Sequence, residues 1–534
     1  MEICSDRACT TIERTETVTG TTVTVGVALT RGPHFWRLRG RAGATPGTVN
    51  SAATWQLTVF ATTAPGVNTY YMGEPDTNGD GWNDALVGLY NRSSMRLYYG
   101  ASAGLPASAA GSATITVAGG SAGYTSSIAN AGDTNGDGFG DVVVGSCMPN
   151  AVNGTYDATT CANRAYVYRG QAATGLGAAT TLAMPSGASA FGYDVSSAGD
   201  VNRDGYSDVV VGAYTSQTVY VFHGSSSGIA TTPNTTLSGG TAGSLWGLSV
   251  ASGDFNADGY SDLVVGGGTS NYINVYFGST SGITTTGSQQ LTYGTVGFNF
   301  GLSVDCAGDT DQDGYPDLVV GGNASLGVVE IHRGGTGSLA TAAYSRTGTA
   351  ASRFGLSVST AGDTNGDGYA DIIVGETGTT PPRAHVLRGS TSSVQNAGEI
   401  VISGTAGTLY GRFVEGLGDV DRDGYFDVMV GDCALTIDST CNETVRVYDG
   451  SPSGTQTSGG RVYSGVAGDG FGHGFAWLRP DSAPRTRLAW VPMAGGALLV
   501  GSSNWAAAPP WLRGTQGSRR VGVSGITEAL ACPL

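Results

Sequence analysis

Residues 363–375 read Asp-Thr-Asn-Gly-Asp-Gly-Tyr-Ala-Asp-Ile-Ile-Val-Gly, a loop of polar residues that runs directly into a short apolar strand. Positions 1, 3, 5 and 9 of the loop carry carboxylate or carboxamide side chains, and position 7 offers its main-chain carbonyl. These are the hard oxygen ligands, at the spacing, that Ca²⁺ prefers. Glycine at position 6 permits the left-handed backbone that turns such a loop around an ion. The segment therefore predicts a calcium loop that opens a buried strand.

The pattern D-x-[N/D]-x-D-G-[W/F/Y]-x-D occurs seven times, and we number the copies loop 1 to loop 7 in chain order: 76–84, 133–141, 200–208, 254–262, 309–317, 363–371 and 419–427. Position 12 is valine in every copy, so none can supply the bidentate glutamate of an EF-hand. A single copy could equally be an ordinary hairpin turn with Asx capping. Seven complete copies favour metal binding and predict about seven Ca²⁺ ions.

The candidate metal ligands are Asp76, Asn78, Asp80, Trp82, Asp84, Asp133, Asn135, Asp137, Phe139, Asp141, Asp200, Asn202, Asp204, Tyr206, Asp208, Asp254, Asn256, Asp258, Tyr260, Asp262, Asp309, Asp311, Asp313, Tyr315, Asp317, Asp363, Asn365, Asp367, Tyr369, Asp371, Asp419, Asp421, Asp423, Tyr425 and Asp427. The aromatic residues in this set contribute their carbonyl groups, and we expect their rings to anchor the loops by packing.

The charge balance agrees with metal binding and excludes other partners. The formal net charge is −16, and more than half of the 42 acidic residues lie in the seven loops. Without a cation, each loop would gather three or four mutually repelling carboxylates. The acidic balance argues against nucleic acid and anionic membranes. The chain has no lysine, which excludes a P-loop, a Schiff base and pyridoxal phosphate chemistry.

The spacing of the loops predicts the fold. Successive loops begin 54 to 67 residues apart, a period typical of stacked supersecondary units. Each unit has a strand opened by an aromatic-glycine pair, the loop, a continuously apolar strand, a third strand ending in glycine and a weaker fourth strand. Continuous apolar strands are typical of sheets covered on both faces. We therefore predict an all-β chain whose main part is a β-propeller of four-stranded blades.

An eighth unit begins at Phe471-Gly472 but has lost its loop, since 479–485 reads Arg-Pro-Asp-Ser-Ala-Pro-Arg. The sequence thus has eight quasi-repeats and seven loops, and a seven-bladed ring closed by the last unit is the alternative. Residues 1–62 lack the repeat and read as an incomplete β-sandwich fragment. We expect a linker at 63–67, the propeller at 68–525 and a tail at 526–534.

Cysteine placement suggests an oxidising compartment. Cys147 with Cys161 and Cys433 with Cys441 bracket equivalent enlarged hairpins in two units, and Cys4 with Cys9 could form a third disulfide, whereas Cys306 and Cys532 have no obvious partners. Buried free thiols are the alternative. The chain starts with neither a charged nor an apolar leader segment. We therefore expect an extracellular or bacterial cell-surface protein whose sequence is incomplete at its amino terminus.

The aromatic-glycine opening, the loop and the V-V-G strand end together resemble the FG-GAP repeats of integrin α-subunit propellers and of bacterial surface proteins. The pair is kept as Phe191-Gly192, Phe300-Gly301, Phe354-Gly355 and Phe471-Gly472, but it is lost in the first two units. No von Willebrand-type inserted domain is present, so its adhesion site is not carried over. The amino-terminal segment is similar to the end of a fibronectin type III-like domain.

These features predict a calcium-binding adhesion or binding module without catalytic residues, which recognises a protein or a glycan through loops on a propeller face. No transmembrane segment is expected, and we expect a monomer. The alternative is a polysaccharide lyase or hydrolase with an active site at the propeller axis. A non-repeating cluster of His, Arg, Tyr or Glu would favour the enzyme, and the sequence shows none. The five histidines are scattered and read as structural.

Overall fold

The computed structural model describes residues 2–4, 12–15, 32–37, 41–42, 45–46, 55–59, 77, 84–89, 94–99, 105, 112–116, 127–137, 139–146, 150–152, 155–157, 163–171, 175–240, 244–269, 271–294, 297, 299–324, 326–420, 423, 425–432, 444–464, 471–477, 486–491 and 497–502. These residues form strands, turns and bends and contain no helix. No segment among them is a helix that could cross a membrane.

Seven four-stranded antiparallel sheets form the blades of a β-propeller, which confirms the predicted fold class. From the innermost strand outward, the blades are as follows. Blade 1 contains β36 (Phe471–Trp477), β7 (Ala85–Leu89), β8 (Ser94–Tyr98) and β9 (Ser112–Thr116); blade 2 contains β10 (Ser127–Gly132), β11 (Asp141–Ser146), β14 (Arg164–Gln171) and β15 (Gly175–Leu182); blade 3 contains β16 (Phe191–Gly199), β17 (Asp208–Ala213), β18 (Thr218–Phe222) and β19 (Thr235–Ser238).

Blade 4 contains β20 (Trp246–Gly253), β21 (Asp262–Gly267), β22 (Tyr272–Tyr276) and β23 (Gln289–Thr292); blade 5 contains β24 (Ser303–Gly308), β25 (Asp317–Gly322), β26 (Val328–His332) and β27 (Ala342–Thr347). Blade 6 contains β28 (Phe354–Gly362), β29 (Asp371–Glu376), β30 (Arg383–Arg388) and β31 (Gln395–Ser403); blade 7 contains β32 (Val414–Gly418), β33 (Asp427–Asp432), β34 (Thr444–Tyr448) and β35 (Arg461–Ser464).

Strand β36 decides between seven and eight blades. It pairs with β7, more than 380 residues earlier, and places Phe471 opposite Leu89. Phe191 and Ala213 occupy the same register in blade 3. The eighth unit therefore supplies the missing first strand of the first unit, and its aromatic-glycine pair is the one that unit 1 lacks. The eight quasi-repeats of the sequence therefore build seven blades, and the alternative of a seven-bladed ring closed by the last unit is confirmed.

The core consists of apolar layers between the blades. The second strand of blades 2 to 7 is buried along its whole length. Each pair of consecutive blades encloses a hydrophobic cluster, and the cluster between blades 7 and 1 contains Met429, Val447, Val87 and Tyr98. Packing on both faces explains why these strands do not alternate between polar and apolar residues.

The remaining strands lie outside the blades. Strands β1 (Glu2–Cys4), β2 (Ile12–Thr15), β3 (Gly32–Arg37) and β6 (Trp55–Val59) form one antiparallel sheet. Three further hairpins are β4 (Arg41–Ala42) with β5 (Thr45–Pro46), β12 (Asn150–Val152) with β13 (Thr155–Asp157), and β37 (Thr486–Val491) with β38 (Ala497–Ser502). The β12–β13 hairpin is the enlarged loop expected in blade 2.

Each of the three predicted disulfides involves a residue outside the described part of the chain. Cys9, Cys147, Cys161, Cys433, Cys441 and Cys532 lie outside the described residues, so none of the three proposed disulfides is tested. Cys306, for which the sequence suggests no partner, is buried on the innermost strand of blade 5 and is disulfide-bonded.

Candidate metal loops

Each of loops 2 to 6 connects the first and second strands of its blade, so all five lie at the same end of the ring. All five ligand positions are described in these loops. In loop 1 only Asp84 is described, because Asp76, Asn78, Asp80 and Trp82 lie outside the described residues. In loop 7 only Asp421 lies outside them.

The backbone of the loops is left-handed at two positions. Gly205, Gly259, Gly314 and Gly368 at position 6 have φ between 90° and 94°, as the sequence predicts. Position 4 is also left-handed, with φ between 59° and 75°, at Gly136, Arg203, Ala257, Gln312 and Gly366. The sequence did not reveal this second requirement, since only two of the five residues are glycine.

The carboxylate at position 1 organises the turn. In loop 6, the amide N–H groups of Gly366, Asp367 and Gly368 donate to the two carboxylate oxygens of Asp363 at 2.6, 3.0 and 2.8 Å. The Asp367 amide also donates to Asn365 Oδ1 at 2.8 Å. These bonds point the polar side chains of positions 1, 3 and 5 toward the inside of the loop.

The carboxylate at position 9 is anchored in the blade. Asp371 is fully buried at the start of β29, and its Oδ2 accepts hydrogen bonds from the amide and the hydroxyl of Thr364 at 3.2 and 2.5 Å. Its Oδ1 accepts the Gly389 amide of the next hairpin at 3.0 Å. The equivalent bond to the following hairpin is present at Asp141, Asp208, Asp262, Asp317 and Asp427. Position 9 therefore fixes the loop to its own sheet.

Burial and like-charged neighbours raise the pKa values of the loop carboxylates. Burial, and then the charge of Asp363, raises the pKa of Asp371 to about 8. Burial raises the pKa of Asp141 and Asp309 to about 7, and like-charged neighbours in the same loop add to both shifts. Burial also raises the pKa of Asp208, Asp262 and Asp317, each with contributions from two acidic residues of its own loop. A cation held among these groups would relieve both the desolvation and the repulsion.

Loop 5 contains three acidic side chains that could hold a metal ion together. One carboxylate oxygen from each of Asp309, Asp311 and Asp313 lies within 4.8 Å of the others. Position 3 is aspartate here, whereas it is asparagine in loops 2, 3, 4 and 6. The guanidinium of Arg333 forms an ion pair with this extra carboxylate, with 2.8 Å between Arg333 Nε and Asp311 Oδ2.

The donor set fits a hard divalent cation. The loops offer only carboxylate, carboxamide and main-chain oxygens, with no nitrogen or sulfur ligand, and this composition suits Ca²⁺ rather than Zn²⁺ or copper. The side chains of positions 1, 3, 5 and 9 and the carbonyl of position 7 would hold it. Ring packing at position 7 is confirmed for Tyr206, whose side chain lies against Gly136 of the preceding loop.

A polar cluster that the sequence did not predict joins blades 5 and 6. His385 lies buried between two glutamates, with 3.0 Å from Nε2 to Glu376 Oε2 and 2.6 Å from Nδ1 to Glu399 Oε1. Arg346 of β27 pairs with the same Glu399 oxygen at 2.7 Å. The cluster has the composition that would favour an enzyme, but these residues come from strands 2, 3 and 4 of the blades, away from the axis. The sequence did not reveal this cluster because its four residues are spread over 54 positions.

Comparisons with known proteins support the predicted resemblance to FG-GAP repeats. An FG-GAP-like repeat model matches residues 200–265 and 309–374, and an FG-GAP repeat model matches residues 354–402. Integrin alpha-6 of Gallus gallus is 39% identical over 149 residues, which cover 25% of this chain and 13% of that protein. Integrin alpha-5 of Xenopus laevis is 31% identical over 215 residues, or 35% and 20% of the two chains.

A solved structure of a protein from Lactobacillus plantarum aligns with a TM-score of 0.46 at 12% identity, covering 74% of this chain and 99% of that one. The matched part of the chain corresponds to only 13 to 20% of the length of the two integrins. Ring closure and the loop-bearing blades define a seven-bladed β-propeller protein. The segments that match FG-GAP repeat models lie in blades 3 to 6, and 25 to 35% of the chain is similar in sequence to integrin alpha subunits.

Proposed function

We propose that this propeller is a calcium-stabilised binding or adhesion module that acts outside the cell and has no catalytic activity. The observation that carries the proposal is the convergence of buried carboxylates in loops 2 to 6. In each of these loops burial, and then the charge of acidic neighbours in the same loop, raises the pKa of the aspartate at position 9. Such groups are costly to bury as anions unless a cation accompanies them. Loops 1 and 7 have the same sequence pattern and are included in the proposal.

The role of the bound ions would be structural. Main-chain carbonyls of loop positions 1 and 2 accept amide hydrogen bonds from the following blade, for example Ala370 N–H to Asp309 O at 3.1 Å and Ser390 N–H to Thr310 O at 2.9 Å. A loop held in shape by calcium therefore holds its neighbour in place as well. This arrangement would make a rigid ring face, on which loops can present a surface to a protein or glycan ligand.

The adhesion part of the proposal rests on the integrin-like repeats, and the ligand is proposed only as a protein or a glycan. The propeller-based lyase or hydrolase remains the second hypothesis from the sequence. The His385 cluster does not favour it, because both imidazole nitrogens and the Arg346 guanidinium are engaged by glutamates. A buried and fully paired histidine is not free to move a proton to or from a substrate.

Metal analysis tests the calcium assignment directly. Protein that has been exhaustively dialysed and then reloaded with Ca²⁺ should contain close to seven ions per chain. Two or fewer would contradict the assignment. Non-reducing peptide mapping of secreted protein tests the extracellular placement, which predicts Cys147–Cys161, Cys433–Cys441 and Cys4–Cys9 as disulfides.

Arrays of glycans and proteins, screened with and without Ca²⁺, test the binding function. We expect saturable binding to one ligand class that is lost after chelation. The same glycans should be assayed for new reducing ends or for unsaturated products. Turnover of a bound polysaccharide would support the enzyme hypothesis and contradict the proposed absence of catalysis.

A further inference from the structure

Arg333 distinguishes loop 5 from the other described loops. It follows the third strand of blade 5, and its side chain turns back toward the loop of its own blade, where it pairs with Asp311. The Asp311 side chain is only 3% exposed, whereas that of Arg333 is 32% exposed. The positively charged guanidinium of Arg333 therefore lies at the edge of a cluster of three acidic side chains and contacts one candidate metal ligand, Asp311.

Arginines at the same position in two other blades behave differently. Arg169 of blade 2 donates from Nη2 to the carbonyl of Ser227 in the next blade at 2.5 Å, and Arg388 of blade 6 donates in the same way to Ser453. Loops 2 and 6 have Asn135 and Asn365 at position 3. An arginine at this position therefore approaches its own loop only where position 3 carries a charge.

The hairpin of blade 6 also leaves no room for Arg333 to contact the next blade as Arg169 and Arg388 do. Arg169 and Arg388 lie against Gly228 and Gly454, where an added Cβ atom would meet the guanidinium at 1.8 and 2.6 Å. The corresponding residue beside blade 5 is Ser393, whose side chain contacts Thr310 with 3.2 Å between the two hydroxyl oxygens. Serine thus occupies the space that glycine leaves open in the other two hairpins.

We propose that Arg333 is an internal counter-ion that sets the calcium affinity of loop 5 and keeps this loop folded when no ion is bound. The inference rests on the proposed calcium binding. Loop 5 has four carboxylates where loops 2, 3, 4 and 6 have three, and the guanidinium restores their net charge. Removing Arg333 would make the net charge of the loop more negative, so the loop would attract Ca²⁺ more strongly. Without calcium, the four carboxylates would repel one another more strongly and destabilise the empty loop.

Hydrogen exchange measured by mass spectrometry at a series of free Ca²⁺ concentrations can follow each loop separately. In Arg333→Gln, the midpoint of calcium-dependent protection for peptides covering 309–317 should fall about tenfold, as expected for removing one charge beside a divalent ion in water. The same peptides should exchange faster without calcium. Peptides covering loop 6 should keep their wild-type midpoint. Arg333→Met, which keeps the aliphatic stem, should repeat the result if Arg333→Gln folds poorly.

Two variants control for charge and for packing. Asp311→Asn combined with Arg333→Gln recreates the composition of loop 6 and should return the midpoint of loop 5 toward the wild-type value. Arg388→Gln removes the equivalent arginine of blade 6 and should leave the midpoint of loop 6 unchanged. The proposal is overturned if Arg333→Gln leaves loop 5 unchanged, shifts loops 5 and 6 together, or is not reversed by the second substitution. If no wild-type loop responds to Ca²⁺, the proposed calcium binding fails as well.

Discussion

Single residues in the loops adopt a backbone conformation that most side chains avoid. Arg203, Ala257 and Gln312 at position 4 have φ of 59° to 60°. The left-handed region costs a non-glycine residue roughly 1–2 kcal/mol. The same position is glycine in loops 2 and 6, with φ of 73° and 75°. The loop geometry therefore requires a left-handed backbone at position 4, and only some of the loops have glycine there.

Replacing Ala257 with glycine should stabilise the protein by about 0.5–1 kcal/mol, because relief of the left-handed strain exceeds the extra entropy that glycine gains on unfolding. The matched control is Gly259→Ala in the same loop. Its φ is 90°, and the added Cβ would lie 2.8 Å from Arg203 Nη1. This variant should lose more than about 1 kcal/mol. Denaturant unfolding in excess Ca²⁺ measures both changes, and equal signs for the two variants would refute the strain argument.

At the scale of elements, the strand end V-V-G and the aromatic-glycine opening of the next blade form one contact. A Cβ atom on Gly145, Gly212, Gly266, Gly321 or Gly375 would lie 1.9 to 2.3 Å from the carbonyl oxygen of the glycine in the following aromatic-glycine pair. Only a residue without a side chain allows this approach. The two motifs that carry the family resemblance thus form the two sides of the five interfaces from blade 2 to blade 7.

Gly375→Ala should destabilise the protein by at least about 2 kcal/mol, because the carbonyl oxygen of Gly411 would be only 1.9 Å from the new atom and backbone must shift to make room. Gly294→Ala is the control, since nothing lies within 4 Å of its added Cβ. Its effect should stay within about 0.5 kcal/mol. Thermal and denaturant unfolding compare the two, and similar losses would show that close approach is not the reason for the glycine.

The His385 cluster gives the interface of blades 5 and 6 a pH dependence. Burial alone would lower the pKa of His385, but its hydrogen bonds to Glu376 and Glu399 outweigh burial and raise it. Burial would raise the pKa of both glutamates, and the pairing with His385 lowers it. The histidine contribution is complete below its ordinary pKa of 6.5 and is lost as pH rises through the raised value. The glutamate contribution is complete above 4.5 and is lost as pH falls.

His385→Gln should therefore cost the most between about pH 5 and 6, where a loss of about 3 kcal/mol is expected for breaking a buried ion pair. The difference from wild type should shrink steadily toward pH 9, because the wild-type imidazole becomes neutral. Denaturant unfolding at pH 5.5, 7 and 9 measures it. A constant difference over this range would mean that the histidine acts through packing alone.

For the whole molecule, the sequence predicted the blades and the candidate loops, and it left open whether the last unit closes a seven-bladed ring or forms an eighth blade. The local period shows which residues form each blade, because the loop and its buried strand are contiguous. The pairing of Phe471 with Leu89 depends on residues at opposite ends of the chain, which no local pattern reports. The His385 cluster was missed because it occurs at a single blade interface, so the repeat pattern does not report it. Contacts that recur in every repeat follow from the sequence, whereas contacts made only once do not.

Hydrogen bonds near the axis link successive blades in the same repeating way. The side chains of Ser127, Asp194, Ser249, Ser303 and Ser357 each accept an amide hydrogen bond from the first strand of the next blade, at 2.9 to 3.2 Å. The equivalent residues in blades 7 and 1 are Phe413 and Gly474, which have no side-chain acceptor. Among the described residues this series of links therefore runs from blade 2 to blade 7, whereas blades 7 and 1 are joined by the pairing of β36 with β7, by their shared apolar cluster and by the hydrogen bond from the Tyr463 hydroxyl to the Leu105 carbonyl.

Removing calcium should destabilise the entire ring, and by an amount that depends on pH. At about 1 mM Ca²⁺ and dissociation constants of about 10⁻⁴ to 10⁻³ M, each loop contributes roughly 0.4–1.4 kcal/mol, so seven loops contribute roughly 3–10 kcal/mol. This sum is comparable to the net stability of an ordinary domain. Because each loop is hydrogen-bonded to the next blade, Asp367→Ala should weaken blade 7 as well as blade 6.

The pH dependence follows from the raised pKa values of about 6 for Asp363, about 7 for Asp141 and Asp309, and about 8 for Asp371 in the metal-free loops. A carboxyl with a raised pKa binds more protons folded than unfolded, so the chelated protein loses stability as pH rises from 6 to 8. The calcium-loaded protein has no such loss, because the ion replaces the protons. Melting temperatures with EDTA and with Ca²⁺ should therefore diverge more at pH 8 than at pH 6. If EDTA leaves the melting temperature unchanged at pH 8, the loops are plain turns and the calcium hypothesis is wrong.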